Sequence, residues 1–133
     1  MLKIEHLGIA VKNLEKSNEL FTKLFGSAPY KMEKVESEGV STSFFRMGEN
    51  KIELLEASAV ESPIAKFIEK KGEGIHHIAF EVQDINAEMK RLQNEGFTLL
   101  SQEPKKGADN KLICFLHPKD SNGVLIELCQ EIK

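Results

Sequence analysis

Apolar and polar positions alternate along Ile4-Glu5-His6-Leu7-Gly8-Ile9-Ala10-Val11, with Leu7, Ile9 and Val11 on one side and His6, Gly8 and Ala10 on the other. A period of two predicts a strand. The period then changes: Asn13 offers an N-cap, Leu14, Leu20, Phe21, Leu24 and Phe25 recur at helical spacing, and Gly26 and Pro29 close the segment. Strands are expected over 30–35, 40–47 and 51–56, the last two joined by the tight turn Gly48-Glu49-Asn50. The first half therefore reads βαβββ. Ser62-Pro63 opens a short amphipathic helix with Ile64, Phe67 and Ile68 on one face, ended by Lys71-Gly72-Glu73-Gly74. We read it as a linker.

The same order then returns. Residues 75–82 form an alternating strand, Asp84 is placed as an N-cap, Ile85, Met89 and Leu92 make a buried helical face, and Gly96 is the stop. Strands are expected over 97–101, 111–117 and 123–129. Val11-Lys12-Asn13-Leu14 answers Val82-Gln83-Asp84-Ile85, and Gly8 and Ala79 each stand two positions past a histidine. Agreement in element order, cap and polar strand residue predicts a duplicated chain. We divide it into a first module at about 1–57, a linker helix at about 58–74 and a second module at about 75–133, together one α+β domain.

Duplication gives four residues a meaning that none has singly. His6 maps onto His77 and Glu53 onto Glu127, one imidazole and one carboxylate per copy. Strand parity puts bulky apolar residues toward the helices, where burial is favourable, and leaves each His and Glu on the opposite face. Two imidazoles and two carboxylates form an N2O2 set that suits one divalent Co, Ni, Mn, Fe or Zn ion, and the absence of thiolates disfavours a closed structural zinc site. Burying two carboxylates together without a cation would be costly. His76 points away from His77 by the same parity and is assigned a structural role.

Composition narrows the setting. The 133 residues are 41% hydrophobic and 29% charged, ordinary for a globular chain. A net charge of −3 offers no broad basic field, so a nucleic-acid partner is not expected. Cys114 and Cys129 form no CxxC pair and sit in apolar runs, which reads as reduced thiols in a cytoplasmic protein. No apolar run reaches membrane-spanning length, and the start is not a signal peptide. His117 ends a predicted strand and either touches substrate or caps the Pro118-Lys119-Asp120 turn; Lys105 and Lys106 beside Gly107 are candidates for substrate phosphates.

The paired modules with His6, Glu53, His77 and Glu127 resemble the vicinal oxygen chelate superfamily, and the resemblance covers nearly the whole chain. It implies an open eight-stranded cup-shaped sheet with helices outside, and a divalent metal that grips two neighbouring substrate oxygens. Within that superfamily the runs His6-Leu7-Gly8-Ile9-Ala10-Val11, Ser62-Pro63-Ile64-Ala65-Lys66-Phe67, Gly74-Ile75-His76-His77-Ile78-Ala79 and His117-Pro118-Lys119-Asp120-Ser121-Asn122-Gly123-Val124-Leu125-Ile126-Glu127-Leu128 are similar to the methylmalonyl-CoA epimerases. The resemblance implies an acyl-CoA thioester substrate, a homodimer, and inversion at C2 through a metal-stabilised enediolate. Glu127 is then one base and Glu53 the other. Some epimerases carry a Glu where this chain has Thr42 and a Gln where it has Glu53, so Glu36 and Glu38 stand as alternatives for the second base. Glyoxalase I, which reads Asp-Pro-Asp-Gly before its last ligand, and a metal-free binding protein of the same fold are the other readings.

Overall fold

A computed structural model describes residues 1–133. Its eight strands are β1 (Lys3–Ala10), β2 (Lys31–Val35), β3 (Val40–Met47), β4 (Asn50–Ala57), β5 (Gly74–Glu81), β6 (Lys105–Lys106), β7 (Lys111–Leu116) and β8 (Ile126–Glu131). Three helices accompany them: α1 (Leu14–Phe25), α2 (Pro63–Lys71) and α3 (Ile85–Asn94). The chain divides into two compact units, one of His6–His76 and the other of Met1–Glu5 with His77–Lys133.

In the unit His6–His76 the strands run in the order β2-β3-β4-β1, with β1 parallel to β4 and the other neighbours antiparallel. The second unit orders its strands β5-β8-β7-β6, with β5 parallel to β8. Equivalent strands have equivalent partners. The N–H of Val11 bonds to the carbonyl of Leu55 at 2.9 Å, and that of Val82 to the carbonyl of Cys129 at 2.9 Å.

Both strand-to-helix turns use one device. The Asn13 side chain accepts from the Lys16 N–H at 3.0 Å and the Asp84 side chain from the Ala87 N–H at 3.1 Å, so each satisfies a donor that the first helical turn would leave orphaned. A second tie comes from the strand that carries the candidate carboxylate. Three positions past Glu53, the Glu56 carboxylate accepts from the Leu14 N–H at 3.2 Å; three past Glu127, the Gln130 side-chain carbonyl accepts from the Ile85 N–H at 2.7 Å. Helix start and carboxylate-bearing strand are thereby tied together in each unit. Gly26 ends α1 in the left-handed region, φ 76°, which lacks a Cβ penalty only for glycine.

Apolar packing follows the predicted parity on one face. Ile9 and Val11 join Leu14, Phe21 and Phe25 of α1 with Phe45 and Leu54, and in the second unit Val82 joins Ile85, Met89 and Leu92 of α3 with Cys114 and Leu128. The other face is not left bare. Ala10, Val40 and Leu55 lie under Ile64, Phe67 and Ile68, so α2, read from sequence as a linker, packs on the His6-bearing face of its own unit. Its apolar stripe needs burial somewhere, and the small Ala10 leaves room for it.

Two expected strands differ. Residues 97–101 make only an isolated bridge, Leu99 to Leu116, although the Leu100 N–H bonds to the Phe115 carbonyl and the His117 N–H to the Thr98 carbonyl. The Thr98 N–H goes instead to the Asp120 carboxylate at 2.8 Å, a bond that pulls the Asp120 acid below its ordinary range. On the side away from β8, the ladder partner of β7 is the two-residue β6. The strand expected over 123–129 begins at Ile126, because Asn122 and Gly123 take positive φ and the Ser121 hydroxyl donates to the Val124 carbonyl, extending the turn. No helix is long and apolar enough to cross a membrane.

Candidate functional site

Register determines which side chains adjoin. In the unit His6–His76, Gly8 and Phe44 both lie directly across from Glu53. Side chains alternate, so His6, Gly8, Glu53, Phe44 and Thr42 share a face, with His6 diagonal to Glu53. The His6 Nδ1 comes within 3.0 Å of a Glu53 carboxylate oxygen. In the second unit Ala79 and Phe115 lie directly across from Glu127. The His77 Nε2 is 3.1 Å from a Glu127 carboxylate oxygen. The registers match in the two units, but a different ring nitrogen faces the carboxylate in each: Nδ1 of His6 and Nε2 of His77.

These groups are not solvated surface charges. His6 and Glu53 are each 4% exposed, His77 and Glu127 each 5%. Water therefore supplies little of the counter-charge that an ionised carboxylate needs, and the protein must supply it through nearby groups or a bound cation. An imidazole nitrogen beside a carboxylate oxygen, both buried and both on one face, is a donor set that fits a divalent ion. The residue two positions past each histidine, Gly8 or Ala79, is small and lies across from the carboxylate on the adjoining parallel strand. Ala79 is fully buried and packs with Ile113 and Cys129, with Phe115 against them.

Sequence reading missed the two phenylalanines. Phe115 stands edge-on to His77, ring centroids 5.8 Å apart, and fixes one side of that imidazole. Phe44 takes the matching register position in the first unit and is fully buried. The signal was present in the repeat, since Ser43-Phe44-Phe45 answers Cys114-Phe115-Leu116, but a phenylalanine in a strand reads first as core. Thr42 is fully buried on the Glu53 face, and its hydroxyl has no hydrogen-bond partner. Glu36 and Glu38 lie on a 3-10 turn, where Glu36 is well exposed and 3.4 Å from the Lys34 ammonium.

The remaining candidates fall as follows. The His117 Nδ1 accepts from the Lys119 N–H at 3.0 Å, capping the Pro118–Asp120 turn. Lys105 pairs with Ile113 and so shares the Glu127 face, whereas Lys106 pairs with Leu112 and takes the opposite one. Both are exposed. His76 stacks edge-on against Phe67 at 5.0 Å, the structural contact expected of it. Cys114 and Cys129 are buried thiols that form no disulfide, and burial pushes the Cys114 thiol above its ordinary range.

With this geometry in place, comparison with known proteins gives a family. Residues 5–115 match the Glyoxalase/Bleomycin resistance protein/Dioxygenase superfamily. The chain belongs to this superfamily. Among superfamily members, the human mitochondrial methylmalonyl-CoA epimerase is 41% identical over 129 residues, 96% of this chain and 73% of that protein. An ethylmalonyl-CoA/methylmalonyl-CoA epimerase of Cereibacter sphaeroides is 42% identical over 130 residues, 96% of this chain and 97% of its own length. A solved methylmalonyl-CoA epimerase in complex with methylmalonyl-CoA and NH4+ matches with TM-score 0.95 and 34% identity, covering 98% of this chain and 95% of that one. The superfamily fold expected from the His and Glu pattern is thus the fold of the whole chain, and the resemblance to the epimerases holds.

Proposed function

We propose that this chain is a methylmalonyl-CoA epimerase, inverting C2 of an acyl-CoA thioester by proton removal from one face and return to the other. The observation that carries the reading is the pair of buried His–Glu contacts at matched positions, His6 with Glu53 and His77 with Glu127, in a chain about 40% identical to named epimerases. The likeness of the entire chain to an epimerase holding methylmalonyl-CoA supports the substrate class.

Inversion requires a proton acceptor for each face of a planar intermediate. Glu127 serves as one base and Glu53 as the other. Their burial among Phe115, Ala79, Phe44 and Gly8 keeps water from competing for the proton once substrate has entered, and the edge-on Phe115 ring limits rotation of His77. Exposure of Glu36 to solvent and its ion pair with Lys34 favour Glu53 over that loop carboxylate. The Thr42 hydroxyl, buried and unpartnered beside these groups, is available to a substrate oxygen or a bound water.

His6, Glu53, His77 and Glu127 would together hold one divalent ion, Co, Ni, Mn or Zn, whose charge supplies stabilisation to the thioester and carboxylate oxygens as an enediolate develops. A carboxylate engaged with a cation is a weaker base, so whichever of Glu53 and Glu127 accepts the proton would do so through an oxygen not engaged with the ion. Lys105, on the Glu127 face, is the better placed of the two adjacent lysines to meet substrate. A homodimer in the cytoplasm completes the proposal.

The test is exchange at C2. Protein loaded with Co and protein treated with chelator are incubated with methylmalonyl-CoA in heavy water, and deuterium at C2 is followed by mass spectrometry with metal content measured alongside. Exchange is expected to need the ion and to fall by about a hundredfold or more in Glu127→Gln, the scale of general acid–base catalysis. No exchange by wild-type protein with its ion bound would sink the proposal, and turnover of the glutathione hemithioacetal in its place would point to glyoxalase chemistry.

A further inference from the structure

A second group of side chains on the Glu53 face has no part in the proton transfer. Arg46 is two positions past Phe44 and directly across from Lys51, so it shares the face on which Phe44 meets Glu53. Its guanidinium lies 4.4 Å from the centroid of the Tyr30 ring. Tyr30 in turn contacts Phe44, with centroids 6.1 Å apart, and its N–H bonds to the Phe44 carbonyl at 2.9 Å. Phe44 is fully buried, Tyr30 is 41% exposed and Arg46 is exposed, so the stack grades from core to solvent.

The manner in which Arg46 is held decides what it can do. A guanidinium over a ring keeps its N–H donors available, whereas one paired with a carboxylate has already spent them. The ring also restrains a long side chain that would otherwise lose entropy on binding. The neighbouring Lys31 is different: its ammonium lies 5.1 Å from the Phe44 centroid and 3.4 Å from Glu33, so a carboxylate partly neutralises it. A protein of net charge −3 repels an anionic substrate at long range and needs a local cation to receive it.

We infer that Arg46, resting over the Tyr30 ring, is the receptor for an oxyanion of the substrate. The inference rests on the proposed acyl-CoA epimerase activity and adds a recognition residue to it. Two oxyanions of a methylmalonyl-CoA thioester have the chemistry that a planar fork binds: the carboxylate beside C2 and the phosphates at the far end of the carrier. Arg46 touches the anion directly; Tyr30 is a positioning residue.

Exchange kinetics are measured for wild type, Arg46→Met, Tyr30→Leu and Tyr30→Phe on methylmalonyl-CoA, and on the methylmalonyl thioester of N-acetylcysteamine, which keeps the carboxylate and lacks the phosphates. Arg46→Met is expected to raise KM for the CoA thioester by about tenfold or more, the scale of a lost charged hydrogen bond. Tyr30→Leu should follow it in direction, and Tyr30→Phe, which retains the ring, should behave as wild type. An Arg46 effect that vanishes on the truncated thioester assigns the phosphate; one that persists assigns the carboxylate. Unchanged KM on both substrates in Arg46→Met overturns the inference. Calorimetric binding of CoA and of methylmalonate to wild type and Arg46→Met separates this from failure of the epimerase reading: weaker binding of either by the variant upholds the receptor even in a protein that does not turn over, and equal binding of both overturns it.

Discussion

At Gly8 and Ala79 the repeat meets the candidate site, because each small residue lies across from a carboxylate on the adjoining strand. Their smallness was visible in the sequence as a repeat feature, but their place was not: only the parallel registers of β1 with β4 and β5 with β8 put them beside Glu53 and Glu127. Ala79→Leu should therefore act twice. Overpacking a fully buried position costs about 1–3 kcal/mol, read by urea denaturation, and the displaced Glu127 should weaken metal affinity beyond what lost stability accounts for. A variant that is destabilised yet binds Co as tightly as wild type would contradict that placement. Phe44 and Phe115 teach the opposite lesson. Nothing in an apolar run announces which phenylalanine will stand against an imidazole, since that depends on a partner strand whose register is set elsewhere.

Among the elements, helix starts and β7 were legible, whereas the strand expected over 97–101 and the start of β8 were not. Asn13 and Asp84 cap α1 and α3 as the sequence implies, because capping is a local interaction spanning three residues. Asn13→Ala and Asp84→Ala should each cost about 1 kcal/mol in chemical denaturation, and by similar amounts, since the two turns are built alike. Strongly unequal losses would show that Glu56 and Gln130, which bond to the first N–H of each helix, do not contribute in the same way. The stretch 97–101 has strand composition but forms a single bridge, because its Thr98 N–H is taken by Asp120, 22 residues away. Propensity could not anticipate a competitor that distant. The linker reading of α2 likewise overlooked where its apolar stripe would find cover, on Ala10 and Leu55.

For the molecule as a whole, the matched His–Glu pairs lead to a prediction about ion count. If both pairs hold one ion, Co should bind with a stoichiometry of one per chain, and His6→Ala and His77→Ala should each abolish most of the thermal stabilisation it brings. That stabilisation is about 2.7 kcal/mol at a free ion concentration of a hundred times Kd. Two ions per chain, with each variant losing only half of the effect, would separate the pairs. By itself the sequence determined the duplication, the helix caps, the alternation of each strand and the identity of the four candidate ligands, because these depend on residue type and on neighbours a few positions away. Tertiary structure alone decided which phenylalanine meets which carboxylate, where α2 finds cover, and that Arg46 rests on Tyr30 rather than on an acid. Those outcomes follow from strand register and from the burial of surfaces far apart in the chain, which local pattern does not specify.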